Sequence, residues 1–312
     1  MHSVNTPRRT QPGRKQPRKA MRVGARIGPT ARRIALGTEL RRMRNEAGMT
    51  LEQAVKGLGF SDSHLQRVET GSIALKQASH LRSLLKRYGI TDEERIATLT
   101  QLHRESASQE WTSFASTVHP TARTFADIEG VARAIKAWHP TLILGLFQTK
   151  RYATAIFEME KLHDETTTEY IEQSVRLRMM RRELLTRSED PVHLWAILGE
   201  AALRHVVGDA DVMREQYAEI AALSERENVT VQILRTHEVG YRFGTNFTIL
   251  DLGETLPSTV QTDVPWGSLC MSDKPREVGR FSRKFSSLQA TAMPPEKTVG
   301  FLQQLSREVS DA

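Results

Sequence analysis

Between residues 62 and 68 five side chains are polar, Asp62, Ser63, His64, Gln66 and Arg67, and only Leu65 and Val68 break the run. Apolar residues three apart, with polar ones on every other side, describe a short helix with a narrow buried seam and a free polar flank. The donors and acceptors on that flank suit flat, hydrogen-bonding targets. An arginine such as Arg67 can hold guanine through two N–H groups, and an aspartate such as Asp62 can accept from the amino group of cytosine. Asp62 has a second reading, because a carboxylate in a first turn also favours the helix N-terminus. Ser61, just ahead, fits an N-cap that leaves the first helical amides free to meet a phosphate or a base edge.

Helical periodicity positions these residues and is continuous from Ile34 to about Arg104. Leu36, Leu40, Met43 and Ala47 form one face of a first helix, which Gly48 ends. Thr50 opens a second helix with Gln53 three residues on, a capping-box spacing. Ser61 opens the third, Lys76 to Tyr88 holds a fourth, and Thr91 is placed to cap a fifth. Beyond Arg104 the texture changes, and Pro120 breaks it. Helical patterns follow over about 126–138, 149–162, 166–187, 211–226 and 274–288, with a last helix after Pro294 and Pro295. Strand-like segments fall at 192–198, 229–234, 247–252 and 258–264, where side chains alternate or are rich in β-branched residues. The expected fold class is mixed. An all-α five-helix domain over 34–105 precedes a linker over 106–125 and an α+β domain over 126–312.

Charge separates a further segment. Residues 1–38 carry ten basic side chains and no acid, leaving −3 for the remainder of a chain whose total is +7. Residues 1–33, rich in Arg, Pro, Gln and Gly, have little to bury and read as a disordered basic arm. A cationic arm on a near-neutral body points to a polyanion. Arg26, Arg32 and Arg33, with Thr50, Ser61 and Lys76 from the helical region, are the candidate phosphate contacts. A membrane surface fits less well, since no lipid-facing apolar residues are interleaved in the arm; a plain solubilising tail is the bland alternative. No apolar run approaches the roughly 20 residues of a membrane span, and no secretion signal opens the chain. The single cysteine, Cys270, leaves no partner for an intrachain disulfide. A cytoplasmic protein, nucleoid-associated when bound, is expected.

Residues 34–104 resemble the helix-turn-helix domain of the Cro and phage-repressor superfamily. The residues that carry the likeness are Arg44, Gly48, Thr50, the Gly59–Phe60–Ser61 turn, Leu65, Val68, Glu69 and Gly71. The resemblance implies that Asp62, Ser63 and Arg67 reach bases, and that Arg44 and Glu69 form a structural salt bridge between the first and third helices. It also implies a homodimer on double-stranded DNA. Leu51, His64 and a single lysine in the loop after Gly71 depart from the pattern and weaken phosphate binding by the domain itself.

The remainder resembles a companion domain of unknown function found beside this motif in regulators of high-GC, actinomycete-type bacteria, some of them antitoxin-like. Glu110–Trp111, residues 135–153, 199–216, 228–234 and 244–252, and the helix from Lys274 carry that likeness, with Leu144 and Asp263 as departures. What it implies is a domain that senses a small partner protein or a small-molecule effector. Gln148, Arg151, Tyr152, Glu200 and Arg204, the polar members of these blocks, read first as structural caps and pairs. An enzyme is not expected. No phosphate-cradling glycine loop, metal-binding histidine helix or serine elbow is present, and neither His193 nor Cys270 has a spacing that names a catalytic partner. No cofactor and no metal is implied.

Overall fold

Leu36, Leu40 and Met43 lie one and two turns apart and are buried together, which fixes the inner face of the first helix. A computed structural model of the chain describes residues 29–71, 73–106, 120–163, 166–253, 256–263 and 269–309. Arg26 and the rest of the arm up to residue 28, and most of the expected linker, lie outside these. Helix α1 spans Pro29–Glu46, α2 Leu51–Val55, α3 Asp62–Glu69, α4 Ala78–Arg87 and α5 Glu93–Ser106. The first helix thus starts five residues before Ile34, with proline in its first turn, where a missing N–H costs nothing. Ala47 lies past its end and is exposed. Asp92, not Thr91, caps α5: its Oδ1 accepts from the amide of Glu94 at 3.1 Å.

Helices α1 and α3 meet backbone to backbone at Gly37. A Cβ there would stand 2.3 Å from the Val68 carbonyl oxygen and 2.8 Å from that of Glu69. Only glycine lets α1 come so close.

The second region opens with α6, Pro120–Glu129, and continues through β1 Ala134–His139, a single 3-10 turn at Gly145–Phe147, α7 Lys150–Glu160 and α8 Thr168–Thr186. Next come β2 His193–Gly199, α9 Glu200–Arg204, α10 Ala210–Ser224, β3 Val229–Leu234, β4 Phe247–Asp251, β5 Thr259–Asp263 and β6 Leu269–Ser272. Helix α11, Pro275–Thr291, and α12, Thr298–Glu308, close it. The six strands make one sheet in the order β3-β2-β1-β4-β5-β6. β1, β2 and β3 run parallel, with Ala134 opposite His193 and Leu194 opposite Val229, while β4, β5 and β6 are antiparallel to their neighbours. Among the described residues no helix is long and apolar enough to cross a membrane.

The helix expected over 126–138 does not form as one element. It stops at Glu129, and the second half is β1, the central strand. Alternation decides this, because Ile135 and Ala137 are buried on one face and Trp138 on the other, while Lys136 is exposed. Pairing on both edges then outweighs the helical preference of Ala and Lys. The four-residue edge strand β6 carries too little pattern to be read from sequence. One apolar cluster fills the helical domain and continues by way of Phe125 and Ile128 of α6 to one sheet face. Trp138, Ile197, Phe247 and Phe285 belong to a second cluster, under α11.

Gly37→Ala is expected to lower the local stability of α1 and α3 by about 1–3 kcal/mol, the usual cost of forcing atoms into a packed contact. Native-state hydrogen exchange at the amides of both helices measures it, with α10 amides as the unaffected reference.

Candidate nucleic-acid interface

Thr50 and Gln53 form the reciprocal cap that starts α2. The Thr50 amide donates to Gln53 Oε1 at 2.9 Å, and the Gln53 amide donates to Thr50 Oγ1 at 3.2 Å. Helix α2 is only five residues long, and its C-terminal carbonyls find a partner from far along the chain. Arg87 Nη1 donates to the carbonyls of Gln53, Ala54 and Lys56 at 3.2, 2.9 and 2.7 Å. This guanidinium caps the helix and ties it to α4. Sequence reading missed it, since Arg87 belongs to α4 and no local spacing links it to α2.

The chain then reverses through Gly59, whose φ of +79° is a left-handed conformation that side chains resist, and enters α3. Ser61 Oγ accepts from the His64 amide at 3.2 Å, completing the N-cap. Leu65 and Val68 are buried at 0% and 2% exposure, so the seam of α3 is sealed against the domain core. Asp62, Ser63, Gln66 and Arg67 are exposed. Asp62 Oδ1 accepts from the neighbouring Ser63 amide at 2.7 Å, which supplies the helix-terminus role without withdrawing the carboxylate from solvent. His64 is half-buried against Phe60, ring centroids 5.4 Å apart, and Phe60 packs in turn on His80 at 4.9 Å. It is the least available of the five flank residues.

Behind the flank, Arg44 grips Glu69 through two parallel bonds, Nε to Oε1 at 2.7 Å and Nη2 to Oε2 at 2.9 Å. Its remaining Nη1 donates to the Met49 carbonyl at 2.8 Å. The Glu69 side chain is 3% exposed and the Arg44 side chain 11%. The paired carboxylate holds the Arg44 guanidinium above its ordinary pKa. Burial, and then Glu69 beside it, pushes the Tyr88 hydroxyl up as well.

The expected phosphate contacts divide. Thr50, Ser61 and Lys76 are exposed, and Lys76 follows Leu75, whose carbonyl is held by His103 Nε2 at 2.7 Å. Arg32 is corrected. It lies inside α1 at 5% exposure, too deep to present its fork to a phosphate. Arg33 is half-buried on the same helix and, like Arg32, has interactions within the chain. In the second domain, Glu200 pairs with Arg204 at 2.6 Å and accepts from the Thr236 amide at 2.9 Å, and Arg204 also reaches Glu308. Arg151 pairs with Glu215 at 3.2 Å.

Five helices, the second and third joined by a tight turn and the third showing a polar flank, define a helix-turn-helix protein. A family model for a helix-turn-helix domain matches residues 35–97, which supports a regulator that binds DNA. Residues 122–304 match the model of a domain of unknown function, DUF5753, and the chain belongs to that family. No curated protein and no solved structure matches the chain.

Arg44→Ala is expected to destabilise the helical domain by about 3 kcal/mol, since it strands a buried carboxylate. In urea titrations followed by helical circular dichroism, Arg44→Ala/Glu69→Ala should recover part of the loss. Additive losses would mean that the pair is not coupled.

Proposed function

We propose that this chain is a sequence-specific transcriptional regulator of the Cro and phage-repressor type, acting as a homodimer in the cytoplasm of a high-GC bacterium. The observation that carries the reading is the sealed seam of α3 beneath an exposed flank of Asp62, Ser63, Gln66 and Arg67. A helix held from behind and polar in front is the form that enters a major groove. Two copies would place their α3 helices in successive grooves about 34 Å apart on a near-palindromic site. The second domain is, on this reading, a binding module and not an enzyme, and it senses a small molecule or a small partner protein, as an antitoxin-like regulator would.

Arg67→Ala should weaken operator binding by about 1–3 kcal/mol, concentrated at one base position. A shift assay across single-base operator variants measures this; equal affinity for operator and random DNA at physiological salt overturns the reading. Deleting residues 1–28 should instead weaken binding evenly across sequences. The slope of log K against log salt should then flatten by roughly 0.9 for each phosphate that the arm had neutralised. An unchanged slope would show that the arm does not touch DNA.

A further inference from the structure

The sheet face that carries Ile135 and Ala137 also buries Thr248, Thr259 and Gln261 and ends in charged groups. There His139, the C-terminal residue of β1, lies within electrostatic reach of Asp263 of β5 and of two arginines of α8, Arg178 and Arg181. Ser174, Arg178 and Arg181 are spaced by four and three residues and so share one helix face. Such clusters are costly inside a domain unless every member is satisfied.

The two arginines are satisfied unequally. Arg181 makes a fork-to-fork pair with Glu129, a residue 1% exposed, at 2.6 and 3.0 Å, and lies over the Phe125 ring. Arg178 lies over the Phe157 ring at 4.8 Å. Its Nη1 donates to Oε1 of the buried Gln148 at 2.6 Å, and Gln148 is itself locked by an Nε2 bond to the Ile143 carbonyl, also 2.6 Å. Among the described residues no carboxylate lies within ion-pair distance of Arg178. Asp263 is engaged by the side-chain amides of Asn246 and Gln261 instead. Burial, and then the charge of Arg181, lower the Arg178 guanidinium to about 10. Burial likewise lowers His139 to about 4 and keeps it neutral. Arg178 is therefore half-buried and held in plane by Gln148, with Asp263 within electrostatic reach but, among the described residues, no carboxylate in direct contact with its guanidinium.

Two further residues lie close to Arg178. Tyr152 is fully buried beside the Ile143 backbone and within electrostatic reach of Arg178, and burial pushes its hydroxyl up to about 12. Gly145 leaves open the position a side chain would occupy in front of both guanidinium groups. A Cβ there would sit 3.6 Å from Arg178 Nε and 3.7 Å from Arg181 Nη1. The location also suits a ligand, since small molecules bind outside the carboxyl ends of parallel strands in α/β sheets.

We propose that this end of the sheet is a binding site for a small carboxylate- or phosphate-bearing molecule, its anionic group held by Arg178 in front of Gly145. The inference rests on the sensing role given above to the second domain, but not on DNA binding. Arg178 supplies the charge and Gln148 fixes its plane. Gly145 admits the anion between the two guanidinium groups.

The full-length protein, titrated separately with inorganic phosphate and with succinate at matched ionic strength, reads this through the Nε–H resonances of Arg178 and Arg181, and through Arg181 alone where Arg178 is replaced. The expected result is a saturable shift with at least one of the two anions, and the anion that produces it identifies the headgroup chemistry. Gly145→Val fills the gap while leaving every charged group in place. It should weaken binding at least about tenfold, a loss of about 1.4 kcal/mol. Arg178→Gln should abolish it, and Arg176→Gln, exposed on the same helix, should bind as the parent does. No shift with either anion overturns the proposal, as does binding that survives Gly145→Val and Arg178→Gln. Arg67→Ala should retain the full anion response, so failure of the DNA reading and failure of this one are read apart.

Discussion

The orientation of α3 depends on a contact between residues 25 apart in sequence, the fork of Arg44 on the carboxylate of Glu69. A helix of eight residues is too short to hold itself in water. Leu65 and Val68 set its depth but would tolerate rotation about its axis. The two parallel hydrogen bonds do not, because a planar guanidinium meeting a planar carboxylate fixes an angle as well as a distance. The backbone contact at Gly37 then sets how near α1 can come. Everything the polar flank can meet follows from this restraint, since Asp62 and Arg67 are displayed only in the register that Glu69 dictates.

Much of this was legible in the residues and some was not, for physical reasons. The caps at Thr50 and Ser61 are local, so spacing alone reveals them. The seam at Leu65 and Val68 shows as periodicity. Arg87 closing α2 is non-local, and nothing near Gln53 in the sequence announces a partner more than thirty residues away. Arg32 misled for a related reason. A run of arginines looks uniformly solvated until the helix that begins at Pro29 turns one of them inward. The segment 134–139 misled because Ala and Lys favour helices, whereas its conformation is set by two flanking strands that lie far off in sequence. The cluster at His139 was the hardest to foresee, being drawn from β1, β5, α6 and α8 with no shared spacing.

Helix α6 joins the two halves physically. On one side it packs against α1, which holds α3 through Arg44 and Gly37. On the other its last residue, Glu129, is the carboxylate bound by Arg181. Glu129 therefore shares the cluster that holds Arg178. An anion on Arg178 would sit near Arg181 too and compete with Glu129 for its positive field. The sign of that competition is fixed by Coulomb's law, because a second negative charge beside Glu129 weakens its hold on Arg181. Weakening that hold frees the end of α6, and α6 is packed on the helix that positions the polar flank. Coupling by this route would have to move α6 against the buried contacts of Phe125 and Ile128 as well as the ion pair at its end.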